Sequence, residues 1–295
     1  MINSKIYLPS GAYFDTYIMD SEINYREFRK RPAIIVAPGG AYAIHATKEG
    51  EPIALEFMKM GYQMFVLKYS VGSDREHPEK GILKAAKYPL QVVEMFETLH
   101  IIKQNAKQWK IDVNRIFMMG FSAGGHVCAS CGVRWNDPSI IKELSFKPKE
   151  NELKAKGIIL GYPFLRPNSE EFMVQHKLES VKKVQNIMNY VLYQTNTPLL
   201  EQIYKVDLLN YISTDTVPMF IWHSIDDPVV DSRNSTKFIA KLLEFDVQVE
   251  YHLFGHGEHG KALDNRLTHI DDEIDCHLNQ WVFLADYWMN RMGKK

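Results

Sequence analysis

The feature that most constrains the fold is a regular alternation between short apolar segments and longer segments of helical periodicity. Six apolar runs predict strands: 33–37, 63–69, 115–120, 156–162, 217–223 and 247–254. Helical patterns lie between or after them: 49–60, 87–109, 123–134, 235–244 and 272–292. Apolar strands joined by helices predict a mostly parallel sheet covered by helices on both faces, an α/β fold. Residues 13–19 are a candidate antiparallel edge strand.

The length and composition favour one domain over residues 1–295, because 45% apolar content can fill a large core. The segment 165–211 has no strong strand, and its helical pattern fits either a lid or cap or an ordinary crossover with longer helices. With 35 Lys and Arg against 36 Asp and Glu, the charge gives no reason to expect nucleic acid or an anionic membrane as a partner.

Cysteine usage and hydropathy give an expectation for the compartment. Three cysteines in 295 residues do not make a disulfide framework. The sequence begins without the apolar region of a secretory signal, and no run approaches the ~18 apolar residues of a membrane span. We therefore expect a soluble protein of the reducing cytoplasm.

Ser122 lies between two glycines at the junction of the third predicted strand and the next helix, in the sequence GFSAG from Gly120 to Gly124. A turn this sharp places Ser122 in a strained backbone conformation and raises its Oγ above the sheet edge. Glycine at both flanking positions removes side chains that would collide, and the helix N-terminus favours nearby negative charge. The pattern predicts a nucleophile elbow.

A base and an orienting acid follow Ser122 in the chain order serine, aspartate, histidine. Asp226 and Asp227 come directly after the fifth strand, and His256 and His259 follow the sixth. Working residues of α/β sheets collect at the carboxyl ends of the strands, so all four are candidates. The residues alone leave both choices open.

An oxyanion hole is predicted where the first strand ends in PGGAY. Glycines there let backbone N–H groups approach a substrate oxygen without obstruction by side chains. The expected donors are the N–H of Ala123 and that of Gly40 or Ala41; one such donor is typically worth ~3 kcal/mol.

The chain resembles the α/β-hydrolase esterases. Within that superfamily it is similar to the acetylxylan-esterase-like and feruloyl-esterase-like group of sugar or xylan esterases. The matching stretches are VAPGGAY, EGEPIALEFMKMGYQMFVLKYSVG, IDVNRIFMMGFSAGGHV, TDTVPMFIWHSIDDPVV and YHLFGHGEHG, from about 33 to 260. The resemblance implies Asp227, four residues after the strand-end histidine, and His259, directly before the last glycine of H-G-x-H-G. The chain departs from that group at Ala41, where a third glycine is common, and in lacking the signal peptide of secreted members.

The resemblance implies a serine esterase that cleaves short acyl esters, including O-acetyl groups on sugars, through an acyl-enzyme. The expected partner is a small-molecule ester, and no metal or organic cofactor is required. The same residues would serve an amidase, a peptidase or an arylformamidase-like enzyme. A non-catalytic binding protein is the alternative from another class, and the oligomeric state is not indicated.

Other chemically suggestive residues have simpler interpretations. Cys128 and Cys131 are predicted to be small buried residues of the helix after the elbow and not a redox pair. His126 is predicted to be a packed polar group. Three aromatic residues near strand ends fit either a substrate pocket or the core: Tyr42, Tyr162 and Trp222.

Overall fold

The computed structural model describes residues 2–19, 30–74, 76–167, 179–274 and 277–293. Its strands are β1 (Lys5–Tyr7), β2 (Tyr13–Tyr17), β3 (Arg31–Ala37), β4 (Gln63–Lys68), β5 (Ile111–Phe121), β6 (Gly157–Gly161), β7 (Met219–Ser224) and β8 (Val249–Phe254). They form one sheet in the order β1-β2-β4-β3-β5-β6-β7-β8. The pairs β1/β2 and β2/β4 are antiparallel, and the pairs from β4 to β8 are parallel.

The helices are α1 (Glu51–Lys59), α2 (Leu90–Gln104), α3 (Ser122–Arg134), α4 (Pro138–Ile141), α5 (Glu179–Tyr193), α6 (Leu200–Val206), α7 (Arg233–Glu244) and α8 (Gln280–Met292). Single turns of 3₁₀ helix occur at Thr47–Glu49, Pro78–Lys80, Leu208–Tyr211 and Asp271–Glu273.

Two apolar cores lie on opposite faces of the sheet. Alternate strand residues divide between them: Ile35 belongs to the core that includes residues of α2, α3 and α7, and Ile34 to the core that includes residues of α1 and α8. This is why the strands are continuously apolar: both of their faces are buried. The predicted α/β architecture, with helices on both faces, is confirmed.

Most of the predicted bounds differ from the observed ones by a few residues, as for α2, expected over 87–109, and three differences have a clear physical reason. The segment 13–19 does form an antiparallel strand, but the edge-strand prediction is wrong, because β1 pairs with its outer side. The third core strand begins at Ile111, four residues early, in a partly exposed stretch where its register with β3 is irregular. The last helix begins at Gln280 and not near 272, because the acidic residues there form a separate 3₁₀ turn.

The described part of the segment 165–211 is helical, as predicted, and residues 168–178 of that segment lie outside the described residues. One face of α5 packs on the chain after β4, where a Cβ added to Gly72 would lie 2.4 Å from Ile187 Cγ2. The amide of Tyr88 donates to the carbonyl of Val191, also in α5 (2.9 Å). The lid interpretation stays a prediction.

Among the described residues, no helix combines the length and the apolar character that crossing a membrane requires.

Candidate active site

Ser122 occupies a tight turn between β5 and α3, with a left-handed φ of 49°. A Cβ added to Gly120 would lie 2.2 Å from the carbonyl oxygen of Gly124, and one added to Gly124 would lie 2.0 Å from that of Ala37. Both contacts are with backbone, which has no room to move aside. The two glycines therefore have the steric role that the sequence predicts, and the turn is the predicted elbow.

The three side chains proposed from the resemblance form one hydrogen-bonded chain. His259 Nε2 lies 2.9 Å from Ser122 Oγ, and His259 Nδ1 lies 2.8 Å from Asp227 Oδ2. The carboxylate of Asp227 accepts, so Nδ1 carries the proton and Nε2 is the acceptor that faces the serine hydroxyl. Such an arrangement can move a proton from the hydroxyl to the imidazole.

The two alternative residues form a separate pair. His256 Nδ1 lies 2.5 Å from Asp226 Oδ2, and the amide of Gly257 donates to Asp226 Oδ1 (2.8 Å). Both side chains are exposed. The two pairs that residue types could not distinguish therefore lie apart. His259 and Asp227 meet at the elbow, whereas His256 and Asp226 meet at the surface.

Asp227 is held by groups on its own loop and on β7. Its Oδ1 accepts from the amides of Val229 and Val230 at 2.8 and 2.9 Å, and His223 Nε2 lies 3.2 Å from its Oδ2. Burial alone would raise the pKa of Asp227, but hydrogen bonds from His223 and His259 outweigh it and hold that pKa far below the ordinary range. The carboxylate is therefore charged at neutral pH.

His223 is a site residue whose contact with Asp227 the sequence analysis missed. It is fully buried, with Nε2 2.8 Å from the carbonyl of Val230 and Nδ1 2.8 Å from Ser235 Oγ. Because a carbonyl only accepts, Nε2 carries the proton and presents it to Asp227 as well. Its place four residues before Asp227 was the available signal.

Residues 39–42, called here the glycine loop, lie beside the nucleophile. Gly40, Ala41 and Tyr42 have successive left-handed φ angles of 118°, 54° and 58°. A Cβ added to Gly39 would lie 2.9 Å from Ser122 Cβ. On the other side, the amide of Ala123 belongs to the first turn of α3, where helix amides have no helical acceptor. The glycine loop and the first turn of α3 thus both adjoin Ser122, and the oxyanion hole stays a prediction.

A buried glutamate lies under the glycine loop, and the sequence analysis assigned it no role. Glu49 accepts from the amide of Gly39 (2.6 Å) and from the hydroxyl of Tyr162 (2.7 Å). It is 3% exposed, although it precedes α1 in a short 3₁₀ turn. No local pattern could reveal it, since its partner Tyr162 is 113 residues away in sequence.

The aromatic residues and His126 belong to the interior. Tyr42, Tyr162 and Trp222 are all buried, so the core interpretation holds, although the Tyr162 ring packs against His259 at 4.8 Å between centroids. His126 Nε2 lies 2.8 Å from the carbonyl of Val206, and Nδ1 lies 2.7 Å from the hydroxyl of Tyr42. Burial lowers the pKa of His126 to about 4, so it is a neutral packed group, as predicted.

The remaining candidates carry no site chemistry. Cys128 and Cys131 are buried, and burial raises the pKa of both thiols, which leaves them unreactive. Within the ranges that the structure describes, no cluster of three or more His, Cys, Asp or Glu side chains could hold a metal ion.

The sheet order, the elbow after β5 and the acidic and histidine loops after β7 and β8 define an α/β-hydrolase. Within this class the sequence identifies a narrower family. The BD-FAE family model matches residues 19–242, and the chain belongs to that family.

Known proteins with similar sequences or structures include esterases, carboxylesterases and carbohydrate-related hydrolases. The chain is 28% identical over 236 residues to endo-1,4-beta-xylanase B of Butyrivibrio fibrisolvens, with 80% of this chain covered but only 33% of that relative's length. A sugar hydrolase from Lactococcus lactis matches 99% of both chains with 28% identity and a TM-score of 0.73. An acetyl ester-xyloside bifunctional hydrolase from Caldicellulosiruptor lactoaceticus matches 98% of this chain and 96% of its own, with 26% identity and a TM-score of 0.72.

Proposed function

We propose that the protein is a serine hydrolase of short-chain carboxylic esters, with O-acetyl groups on small sugars or oligosaccharides as its substrate class. The observation that carries the proposal is the hydrogen-bonded chain from Ser122 through His259 to Asp227 at the carboxyl edge of the sheet. The likeness to an acetyl ester-xyloside hydrolase over nearly the whole chain supports the substrate class.

Acylation begins when Ser122 Oγ attacks the ester carbonyl carbon. As the Oγ–C bond forms, the hydroxyl proton moves to His259 Nε2, and the carboxylate of Asp227 stabilises the resulting imidazolium. The carbonyl oxygen becomes an oxyanion that accepts from the N–H of Ala123 and from that of Gly40 or Ala41. The C–O bond to the alcohol then breaks, and His259 gives its proton to the leaving oxygen.

Deacylation repeats these steps with water as the nucleophile. His259 takes a proton from water, the hydroxide attacks the acyl carbon, and the bond to Ser122 Oγ breaks. The serine regains its proton from the imidazolium, and the carboxylic acid leaves. The same base serves both half-reactions because it faces the single Oγ atom.

A polar cavity beside the base supports a hydroxyl-rich alcohol. The cavity has a volume of about 720 Å³, and its lining includes His259, Lys48, Lys261, His269 and Glu273. This lining offers both donors and acceptors, which suits sugar hydroxyls better than a long aliphatic chain. The cavity borders His259, the residue that would protonate the leaving alcohol.

The proposal is tested by kcat/KM on 4-nitrophenyl esters from acetate to decanoate and on acetylated xylo-oligosaccharides, with Ser122→Ala beside the wild type. We expect a steep preference for acetate and a loss of at least about 10³-fold in the variant. Matched anilides test the amidase alternative. Anilide turnover above ester turnover, or no turnover beyond that of the variant, would refute the esterase proposal.

A further inference from the structure

Two loops of the site share one buried carboxylate. We propose that Glu49 is a positioning residue that holds the glycine loop and the histidine loop, residues 255–262, in a fixed relation, an inference that rests on the proposed function. Its two oxygens accept from donors that belong to different sides of the nucleophile.

The first oxygen fixes the glycine loop. Glu49 Oε2 accepts from the amide of Gly39 at 2.6 Å, while the amide of Ala46 donates to the carbonyl of Gly39 at 2.9 Å. Both polar groups of Gly39 are thereby paired, and its Cα faces the nucleophile, since an added Cβ would lie 2.9 Å from Ser122 Cβ. The next two amides along the chain, of Gly40 and Ala41, are the proposed oxyanion donors. A hydrogen bond to Glu49 therefore sets the direction from which they approach the substrate oxygen.

The second oxygen fixes the histidine loop through Tyr162. Glu49 Oε1 accepts from the Tyr162 hydroxyl at 2.7 Å, and that hydroxyl accepts from the amide of Ala262 at 3.2 Å. Ala262 lies three residues after His259. The Tyr162 ring also packs edge-on against the imidazole. Tyr162 itself has a strained φ of 36°, which such surrounding contacts must hold in place.

The charge of Glu49 acts on the same base. Burial raises the pKa of Glu49, while hydrogen bonds from Tyr162 and Gly39 and the charge of His259 oppose that rise. The other titratable groups near this carboxylate are the buried hydroxyl of Tyr69, which donates to the carbonyl of Pro38, and the Tyr162 hydroxyl. Both stay neutral because burial raises each hydroxyl's pKa well above the ordinary value. Asp227 faces the imidazole from the β7 side. An ionised Glu49 therefore adds a second anion that favours the imidazolium.

The test compares Glu49→Gln with Glu94→Gln, a matched substitution of another buried carboxylate. Glu94 is 1% exposed and accepts from Ser10, in the turn between β1 and β2, and from Ser70, just after β4. After Ser122→Ala has established that wild-type turnover is serine-dependent, kcat and KM on 4-nitrophenyl acetate are measured from pH 5 to 9, with Tm for each variant.

We expect Glu49→Gln to lower kcat by about 10- to 100-fold, with KM changed by less than about threefold. The acid limb of its kcat/KM profile should move to lower pH, because an anion that favours the imidazolium is gone. Glu94→Gln should lower Tm without changing kcat or the profile.

Equal kinetics in the two variants, or a wild-type profile in Glu49→Gln, would overturn the inference while leaving the proposed function intact. If Glu49→Gln does not fold, Tyr162→Phe decides in its place, since it keeps the ring and removes the hydroxyl between Glu49 and Ala262. A lowered kcat then supports the positioning role, and an unchanged kcat overturns it. Absent wild-type turnover would instead refute the proposed function.

Discussion

Replacement of Gly124 by alanine tests whether the geometry of the elbow requires a residue without a side chain at this position. The added Cβ would lie 2.0 Å from the carbonyl oxygen of Ala37 and 2.5 Å from that of Pro38. A carbon and a carbonyl oxygen approach to about 3.3 Å at closest, so the helix or the end of β3 must move by about 1.3 Å. Neither contact is with a flexible side chain that could rotate away.

The predicted effect has two parts. Overpacking against backbone should lower the free energy of unfolding by at least about 3 kcal/mol, at the upper end for such substitutions. A displacement of that size at Ser122 should also lower kcat by about 100-fold, since misplacement of about 1 Å has that effect on positioned groups. The measurements are urea unfolding and kcat on 4-nitrophenyl acetate.

Gly132→Ala in the same helix is the matched control. Its added Cβ would lie 2.8 Å from Met219 Cε, the end of a flexible side chain, and 3.1 Å from Ile158 Cγ1, which has to shift by only a few tenths of an ångström. A gain in helix propensity of about 1 kcal/mol offsets their adjustment, so this variant should be near neutral in stability and activity. If Gly124→Ala keeps wild-type stability and kcat, or if the two variants behave alike, the steric account of the elbow is wrong.

Two further predictions concern the buried polar groups around the elbow. Asp227→Asn should lower kcat by about 10³- to 10⁴-fold, because an amide neither stabilises the imidazolium nor fixes the histidine tautomer. Asp226→Asn, the control, should keep kcat within about threefold. Similar losses of kcat in both variants would contradict the assignment of Asp227. His126, whose folded pKa of about 4 lies below the ordinary value, stabilises the fold above pH 6.5. This contribution, about 3 kcal/mol, should be lost as pH falls from 6.5 to 4, because only the unfolded chain binds the proton there. Unfolding free energies measured across that range should have a shallower slope in His126→Gln, and an equal slope would contradict burial as the cause.

The sequence predicts those parts of the fold whose burial leaves a local pattern. Strands β3 to β7 are mostly buried on both faces, so each reads as an apolar run, whereas β8, at the end of the sheet, is only partly buried. The three residues of β1 lack such a pattern, since Lys5 and Tyr7 are exposed and only pairing with β2 defines the strand. The start of the last helix was also missed, because acidic residues that favour a helix N-terminus form a separate turn instead.

The candidate site also has parts that a local sequence pattern predicts and parts that it does not. Ser122 was identifiable because its turn imposes glycine on its neighbours, which is a local requirement. The choice between Asp226 and Asp227 was not decidable from residue types, since adjacent side chains leave the backbone in different directions and only the folded loops show which one meets a histidine at the elbow. Glu49 was invisible because its burial depends on Tyr162, far away in sequence.

The two buried carboxylates of the site differ in which groups they contact, and therefore in the role proposed for each. Asp227 touches the imidazole directly and holds its proton on Nδ1, so it governs which nitrogen faces the serine. Glu49 accepts from the Tyr162 hydroxyl and the Gly39 amide, and so, in the proposed mechanism, it sets where the base and the oxyanion donors lie. An unpaired buried carboxylate would be strongly destabilising, and each of these is satisfied only when both of its loops are in place. The contacts that make burial of the charges tolerable are therefore the same contacts that assemble the site, and loss of either carboxylate should loosen one loop while the sheet remains folded.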